Sequence, residues 1–221
     1  MFTPLRLLLA ACLLLAATFA RADDPFPEAA SAYLVQAGGT TVWSHQTEER
    51  LPPASLTKIM TALLVLERGN LGQVVTVSPA AAAETGSRLR LRAGNRLRVG
   101  DLLSAMLIES ANDAAHVLAD YLGGNEERFV AMMNARAAKL GLKDTHYVNC
   151  AGHDDPQHYT TASDLARLTE AALAHPHFRE TVAQVRQTIR TVDGKRTFRL
   201  ENSNKLLPLY PGMLGVKTGY T

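Results

Sequence analysis

The chain has 221 residues, of which 47% are hydrophobic and 20% charged. This composition is typical of a globular protein and excludes collagen-like, low-complexity and disulfide-scaffold classes. The formal net charge is +2, and the first 22 residues hold two of the 23 basic residues and no acid, so the rest of the chain has 21 bases and 21 acids. This balance argues against a nucleic-acid partner, because neutralising many phosphates requires an excess of Lys and Arg.

Residues 1–22 are typical of a secretory signal peptide. Arg6 gives a positive N-terminal region, residues 7–17 form an apolar stretch too short to span a bilayer, and Ala20-Arg21-Ala22 is a small-x-small cleavage site. We therefore expect cleavage at that site and secretion across the inner membrane. The mature chain, residues 23–221, would be periplasmic or otherwise extracytoplasmic.

The two cysteines bear on export and on redox chemistry. Cys12 ends a Leu-Ala-Ala-Cys sequence that resembles a lipobox, so a lipoprotein signal is the alternative, although the apolar run continues past it. After signal cleavage only Cys150 remains, and no intrachain disulfide can form. A lone cysteine without a paired base nearby is interpreted as a small buried hydrophobe rather than a nucleophile.

Two β-hairpins are expected, one at each end of the mature chain. The turn signals are Gly38-Gly39 in the first hairpin and Asp193-Gly194 in the second. The expected strands are residues 32–35, 41–43, 187–192 and 196–200.

A third hairpin is predicted from strict alternation of arginine with apolar residues. Its strands would be residues 88–92 and 96–99, joined by Ala93-Gly94-Asn95. The basic face of this hairpin is interpreted as solvated, with ligand binding as the alternative.

Apolar periodicity predicts a helical middle of the chain. Residues 55–68 are apolar on nearly all sides, which is typical of a buried helix. Further helices are predicted at residues 101–109, 113–122, 126–140 and 162–174. Strands at both ends with helices between them predict one mixed α and β domain.

The seven histidines form two small clusters. These are His153-Asp154-Asp155 with His158, and His175 with His177. Neither spacing places three ligands on one side of a regular element, so we expect no metal and no other cofactor.

Three short motifs occur once each, in the order Ser55-Leu56-Thr57-Lys58, Ser110-Ala111-Asn112 and Lys217-Thr218-Gly219. Ser55 and Lys58 are three residues apart in a predicted first helical turn, so their side chains share a face. A serine hydroxyl needs a base to become a strong nucleophile, and lysine is a base only when it is neutral. Burial and a second cation both lower a lysine pKa, and Lys217 would be that cation.

The other two motifs supply groups suited to a substrate. Ser110 and Asn112 interrupt two predicted helices, so their side chains can point into a cleft, although Asn112 can also cap the following helix. Lys217 and Thr218 provide a cation and a hydroxyl that suit a carboxylate, and Gly219 permits close approach of a ligand backbone.

With their flanks, these motifs resemble the serine-type D-alanyl-D-alanine carboxypeptidases, the low-molecular-weight penicillin-binding proteins. The matching segments are residues 53–61, 109–115 and 211–221, and the similarity runs from Ala32 to the last residue. The resemblance implies an α+β fold: an antiparallel β-sheet with helices on both faces, plus an all-helical subdomain. Relatives continue into further strands and a closing helix, so residues 23–221 are expected to be a catalytic domain that is truncated at its C-terminus.

The resemblance also implies hydrolysis of the terminal D-Ala-D-Ala bond of peptidoglycan pentapeptides through an acyl-enzyme. Ser55 would attack the carbonyl carbon, Lys58 would accept its proton, and Ser110 would relay a proton toward the leaving D-Ala. β-Lactams would enter the same path and remain bound covalently as inhibitors.

The family's binding residues carry over in the same way. Asn112 would hold the substrate amide, and Lys217 and Thr218 would position the terminal carboxylate. The backbone N–H groups of Ser55 and Tyr220 would form the oxyanion hole. Membrane association is expected only through a region C-terminal to this chain.

Two alternative functions remain open, and one residue departs from the family pattern. A β-lactamase would need a Glu that activates the deacylating water, and no convincing loop for it is present. A non-catalytic fragment that binds peptidoglycan or β-lactams is the second alternative, with the Lys217 strand as an unpaired edge. The departure is His153, which follows Gly152 where this family usually has an apolar residue.

Overall fold

A computed structural model describes residues 29–220 of the chain. The predicted signal peptide and the alternative lipid attachment at Cys12 lie outside the described residues. The chain divides after His45 into two compact units, which are described separately.

The first unit contains the predicted N-terminal hairpin. Strand β1 (Tyr33–Ala37) pairs antiparallel with β2 (Thr40–His45). The turn residues Gly38 and Gly39 have φ values of +57° and +79°, which only glycine adopts without strain. The hairpin prediction is therefore confirmed.

The second unit is mainly helical and is built around α1 (Lys58–Arg68). A short 3-10 turn, Ala54–Thr57, precedes α1, so the predicted helix at 55–68 begins with a tighter first turn. Eight consecutive residues of α1, Lys58 to Val65, are buried, as its all-round apolar sequence predicts. The remaining helices are α2 (Pro79–Ala82), α3 (Val99–Ile108), α4 (Asn112–Gly123), α5 (Glu126–Lys139), α6 (Ala162–Leu173) and α7 (Pro176–Val182).

The predicted hairpin between residues 88–92 and 96–99 is wrong. Strand β4 (Arg96–Arg98) pairs instead with β3 (Val74–Thr76). The backbone amides of Leu89 and Leu91 donate to the buried Asp113 carboxylate at 3.1 and 2.9 Å. A side chain on another element thus takes the hydrogen bonds that a partner strand would have made.

The C-terminal hairpin is confirmed as β5 (Arg186–Arg190) paired antiparallel with β6 (Thr197–Glu201). The short elements α2, α7 and β3 were not predicted, because segments of three to seven residues carry little periodic signal.

The α+β class is confirmed. Within residues 29–220 the strands form three separate antiparallel pairs, and the segment around Lys217 belongs to none of them. No helix in this part of the chain is both long and apolar enough to cross a membrane.

Candidate active site

Ser55 and Lys58 meet at the start of α1. The preceding Ala54 has φ +48°, a left-handed conformation that is rare for alanine and that turns the chain sharply before Ser55. Lys58 is fully buried, and its Nζ lies 2.8 Å from Ser55 Oγ. The same Nζ donates to the carbonyl oxygen of Ala151 at 2.6 Å. Amine and hydroxyl are therefore held within hydrogen-bond distance.

The environment of Lys58 favours its neutral form. Burial lowers the pKa of Lys58 to about 7, with a further contribution from the positive charge of Lys217. A substantial fraction of this amine is neutral near pH 7, and a neutral amine can accept a proton from a hydroxyl.

The carbonyl that accepts from Lys58 belongs to a tight loop, residues 149–153. Asn149 Oδ1 accepts hydrogen bonds from the backbone amides of Gly152 and His153 at 2.7 and 3.0 Å. Asn149 Nδ2 donates to the His153 carbonyl at 2.9 Å. One asparagine side chain thus holds the loop in shape, and the Asn-x-x-Gly spacing, typical of turns, was the overlooked signal.

Ser110 follows α3 and has φ +64°, so the second motif also sits on a strained backbone. Lys217 Nζ donates to Ser110 Oγ at 3.0 Å, which joins the second and third motifs.

Asn112 is the first residue of α4, so it neither lies in an open break nor caps that helix, where Ala111 is the N-cap residue. The helix starts one residue earlier than predicted, and the backbone amide of Asn112 donates to the Ser87 carbonyl at 2.7 Å. Its Nδ2 donates to the Thr85 carbonyl, also at 2.7 Å.

The third motif approaches the Ser55 turn from the C-terminal part of the chain. Burial lowers the pKa of Lys217 to about 8. Thr218 Oγ1 lies 2.7 Å from Ser203 Oγ, a contact that the sequence did not reveal. Gly219 packs so closely that a Cβ there would lie 3.3 Å from the Pro53 carbonyl oxygen, which brings the backbone of Tyr220 beside the Ser55 turn.

All three motifs open onto one cleft of about 440 Å³. The motif residues that line it are Ser55, Ser110, Asn112, Thr218, Gly219 and Tyr220. Glu109, Ser203 and His153 also line the cleft. The sequence patterns did not assign Glu109 or Ser203 to the site, and they marked His153 only as a difference from the family pattern.

Among the remaining histidine and cysteine candidates, His158 and Cys150 are buried. His158 is buried against Thr57, with Nε2 2.8 Å from the Thr57 Oγ1 atom, and burial lowers its pKa to about 4. Cys150 is free and buried, and burial raises the pKa of its thiol, which is typical of an inert cysteine. Among residues 29–220, no three His, Cys, Asp or Glu side chains cluster as a metal site would require.

Comparison with known proteins identifies the family. The family model described as D-alanyl-D-alanine carboxypeptidase, peptidase S11, matches residues 19–221. The chain is 37% identical to the D-alanyl-D-alanine carboxypeptidase DacF of Bacillus subtilis, an alignment that covers 91% of this chain and 53% of that protein. The chain thus spans about half the length of this curated relative.

Solved structures agree on the fold. A D-alanyl-D-alanine carboxypeptidase from Mycobacterium tuberculosis superimposes with a TM-score of 0.81 at 32% identity, over 87% of this chain and 73% of that one. The Streptomyces K15 DD-transpeptidase gives 0.80 at 34% identity, over 86% and 79%. These similarities confirm the DD-peptidase fold. The chain belongs to the D-alanyl-D-alanine carboxypeptidase family, peptidase S11.

Proposed function

We propose that this protein is a serine-type DD-carboxypeptidase that removes the terminal D-Ala of peptidoglycan pentapeptides. One observation carries the proposal: the fully buried amine of Lys58, with a pKa of about 7, lies 2.8 Å from the Ser55 hydroxyl at the cleft. A buried lysine paired with a serine is costly for folding and suits nucleophilic catalysis.

Acylation starts with proton transfer from Ser55 Oγ to the neutral Nζ of Lys58, while Ala151 O holds that nitrogen in place. Oγ attacks the carbonyl carbon of the D-Ala-D-Ala bond, and negative charge develops on the carbonyl oxygen. The backbone N–H groups of Ser55 and Tyr220 would stabilise this oxyanion. The close packing of Gly219 on Pro53 supports this pairing.

Collapse of the tetrahedral intermediate needs a proton at the leaving amine. Ser110 is the proposed relay, because its hydroxyl contacts Lys217 and lines the cleft beside Ser55. The proton taken by Lys58 passes through Ser110 to the D-Ala nitrogen, and free D-Ala departs. Water then attacks the Ser55 ester and gives a proton to the neutral Lys58, and Lys58 passes that proton to the departing serine oxygen, which closes the cycle.

Substrate binding uses the groups that remain available. Asn112 Nδ2 is occupied by the Thr85 carbonyl, which leaves Oδ1 to accept an N–H of the substrate. Lys217 and Thr218 would bind the terminal carboxylate, the feature that distinguishes a C-terminal D-Ala from an internal residue. β-Lactams, which present a carboxylate beside a reactive carbonyl, would acylate the same serine.

The proposed substrate and the predicted signal peptide both support an activity outside the cytoplasm. Residues 1–22 have the charge, apolar length and cleavage site of an export signal. Pentapeptides of the cell wall would be reached there.

The experiment is covalent labelling with a fluorescent penicillin, followed by peptide mapping and by a D-Ala release assay on a pentapeptide. We expect one adduct on Ser55, absent in Ser55→Ala, and stoichiometric release of one D-Ala per peptide. Rapid penicillin turnover would indicate a β-lactamase instead. No adduct would contradict the proposal and indicate a non-catalytic binding protein, and an adduct that persists in Ser55→Ala would contradict it by showing that another side chain is acylated.

A further inference from the structure

Glu84 bridges two histidines at the edge of the cleft. Its Oε1 lies 2.9 Å from His116 Nδ1, and its Oε2 lies 2.9 Å from His153 Nε2. His116 belongs to α4, one helical turn after Asn112, and His153 ends the 149–153 loop. A single carboxylate therefore joins two elements that are separate in sequence.

Both elements carry groups of the active site. The 149–153 loop contributes the Ala151 carbonyl that accepts from Lys58. Helix α4 begins at Asn112, which is held by the carbonyls of Thr85 and Ser87. The segment 84–87 thus contacts the loop through one side chain and the helix start through its backbone.

Resting on the proposed function, we propose that Glu84 is a positioning residue: by bridging His116 and His153, it holds the loop that orients Lys58 at a fixed distance from the helix that presents Asn112. The side chain of Glu84 is only 17% exposed, whereas that of His153 is 41% exposed and lines the cleft. A half-buried carboxylate with a hydrogen bond on each oxygen has little freedom to move. It therefore suits a fixed spacer.

Charge gives the bridge a second, measurable consequence. Burial opposes ionisation of Glu84, but the hydrogen bonds from His153 and His116 outweigh it and lower the pKa of this carboxyl. The ionised carboxylate in turn favours the protonated form of Lys58, against the effects of burial and of the Lys217 charge. The second nitrogen of His116 faces Asp120 at 3.6 Å.

The test compares two substitutions of Glu84 in the full chain by the rate of acylation of Ser55 by a fluorescent penicillin. Glu84→Ala removes both the bridge between the two histidines and the negative charge. It should slow acylation about 10- to 100-fold, because displacing a catalytic group by about 1 Å has effects of this size. Glu84→Gln keeps hydrogen-bonding capacity without charge and should stay within about threefold of the parent. It should also move the acid limb of the pH profile below the parent's value, because a negative charge near Lys58 is lost.

Glu67 provides the matched control. Its side chain is 23% exposed and pairs with Arg136 at 2.6 Å, away from the cleft. Glu67→Ala and Glu67→Gln should leave rate and pH profile unchanged. The inference is overturned if Glu84→Ala acylates within about twofold of Glu67→Ala, or if Glu84→Gln is as slow as Glu84→Ala at every pH with an unmoved acid limb.

His153→Ala provides a route that does not depend on the folding of Glu84→Ala, because His153 is partly exposed. It breaks only the loop side of the bridge and should reproduce most of the loss seen in Glu84→Ala, and combining it with Glu84→Ala should add little, as expected of coupled residues. Full additivity would contradict the bridge. A parent protein that forms no Ser55 adduct would contradict the proposed function, whereas an active parent with an unaffected Glu84→Ala would contradict only the positioning role.

Discussion

The α-carbon of Gly152 lies against the carbonyl group of Ala54, so that a Cβ on Gly152 would sit 1.8 Å from the Ala54 oxygen and 3.0 Å from the Ser55 nitrogen. Gly152 also has φ +92°, a backbone conformation that is strained for any residue with a side chain. The loop whose Ala151 carbonyl accepts from Lys58 is thereby packed directly onto the turn that contains Ser55.

Gly152→Ala should destabilise the protein by about 3 kcal/mol or more, because it adds backbone strain and a steric clash with the Ala54 carbonyl. Gly94→Ala is the matched control: Gly94 has φ +82° but no atom within 4 Å of the added Cβ, so it should cost only about 1 kcal/mol. Urea unfolding of the two variants measures the difference. Equal losses would show that the contact with Ala54 is not rigid.

The pH dependence of acylation should be bell-shaped. The rate should rise as Lys58 loses its proton around pH 7, and it should fall as Lys217 loses its charge around pH 8. Because the two lysines interact, the two limbs belong to the pair rather than to single residues. Penicillin acylation measured from pH 5 to 10 tests this. A rate that keeps rising to pH 10 would show that the Lys217 charge is not required.

Lys58→Met should abolish function and relieve a folding cost. Without the base, acylation should fall about 100- to 10,000-fold. The pKa of Lys58 in the folded protein, about 7, lies below its ordinary value of 10.5, so folding must remove a proton or bury an ammonium whenever the pH is below 10.5. That cost grows as pH falls to 7 and is constant below it. The gain in stability of Lys58→Met should therefore be larger at pH 6 than at pH 9, as measured by urea unfolding; equal gains would contradict the lowered pKa.

Ser203→Ala tests the partner of Thr218. Loss of the 2.7 Å contact between Ser203 Oγ and Thr218 Oγ1 frees the hydroxyl proposed to bind the substrate carboxylate. A hydrogen bond of about 1 kcal/mol corresponds to roughly a fivefold effect. We expect it mainly as a rise in KM for D-Ala release, because the freed hydroxyl is no longer held in position. Ser163→Ala, which removes a surface contact with Glu48, is the control and should leave KM unchanged. A fall in kcat alone would assign Ser203 to the chemical step instead.

Local sequence predicted most of the helices and two of the hairpins, because each depends on neighbours a few residues apart. The buried face of α1 and the hairpin turn at Gly38-Gly39 are examples, since periodicity and glycine conformation are readable without the fold. The hairpin predicted from residues 88–92 failed for the opposite reason. Arginine and apolar residues alternate there because the segment is half-buried. The backbone amides of Leu89 and Leu91 donate to Asp113 rather than to an adjacent strand.

The sequence by itself determined that Ser55 and Lys58 lie together, because their three-residue spacing is a local property. Only the tertiary structure decided the environment of that pair. The acceptor of Lys58, Ala151 O, lies 93 residues away along the chain, and Lys217 reaches Ser110 across 107 residues. Burial, a neighbouring cation and the Glu84 bridge all come from residues distant in sequence. The pKa of Lys58 depends on that three-dimensional environment, and no local pattern encodes it.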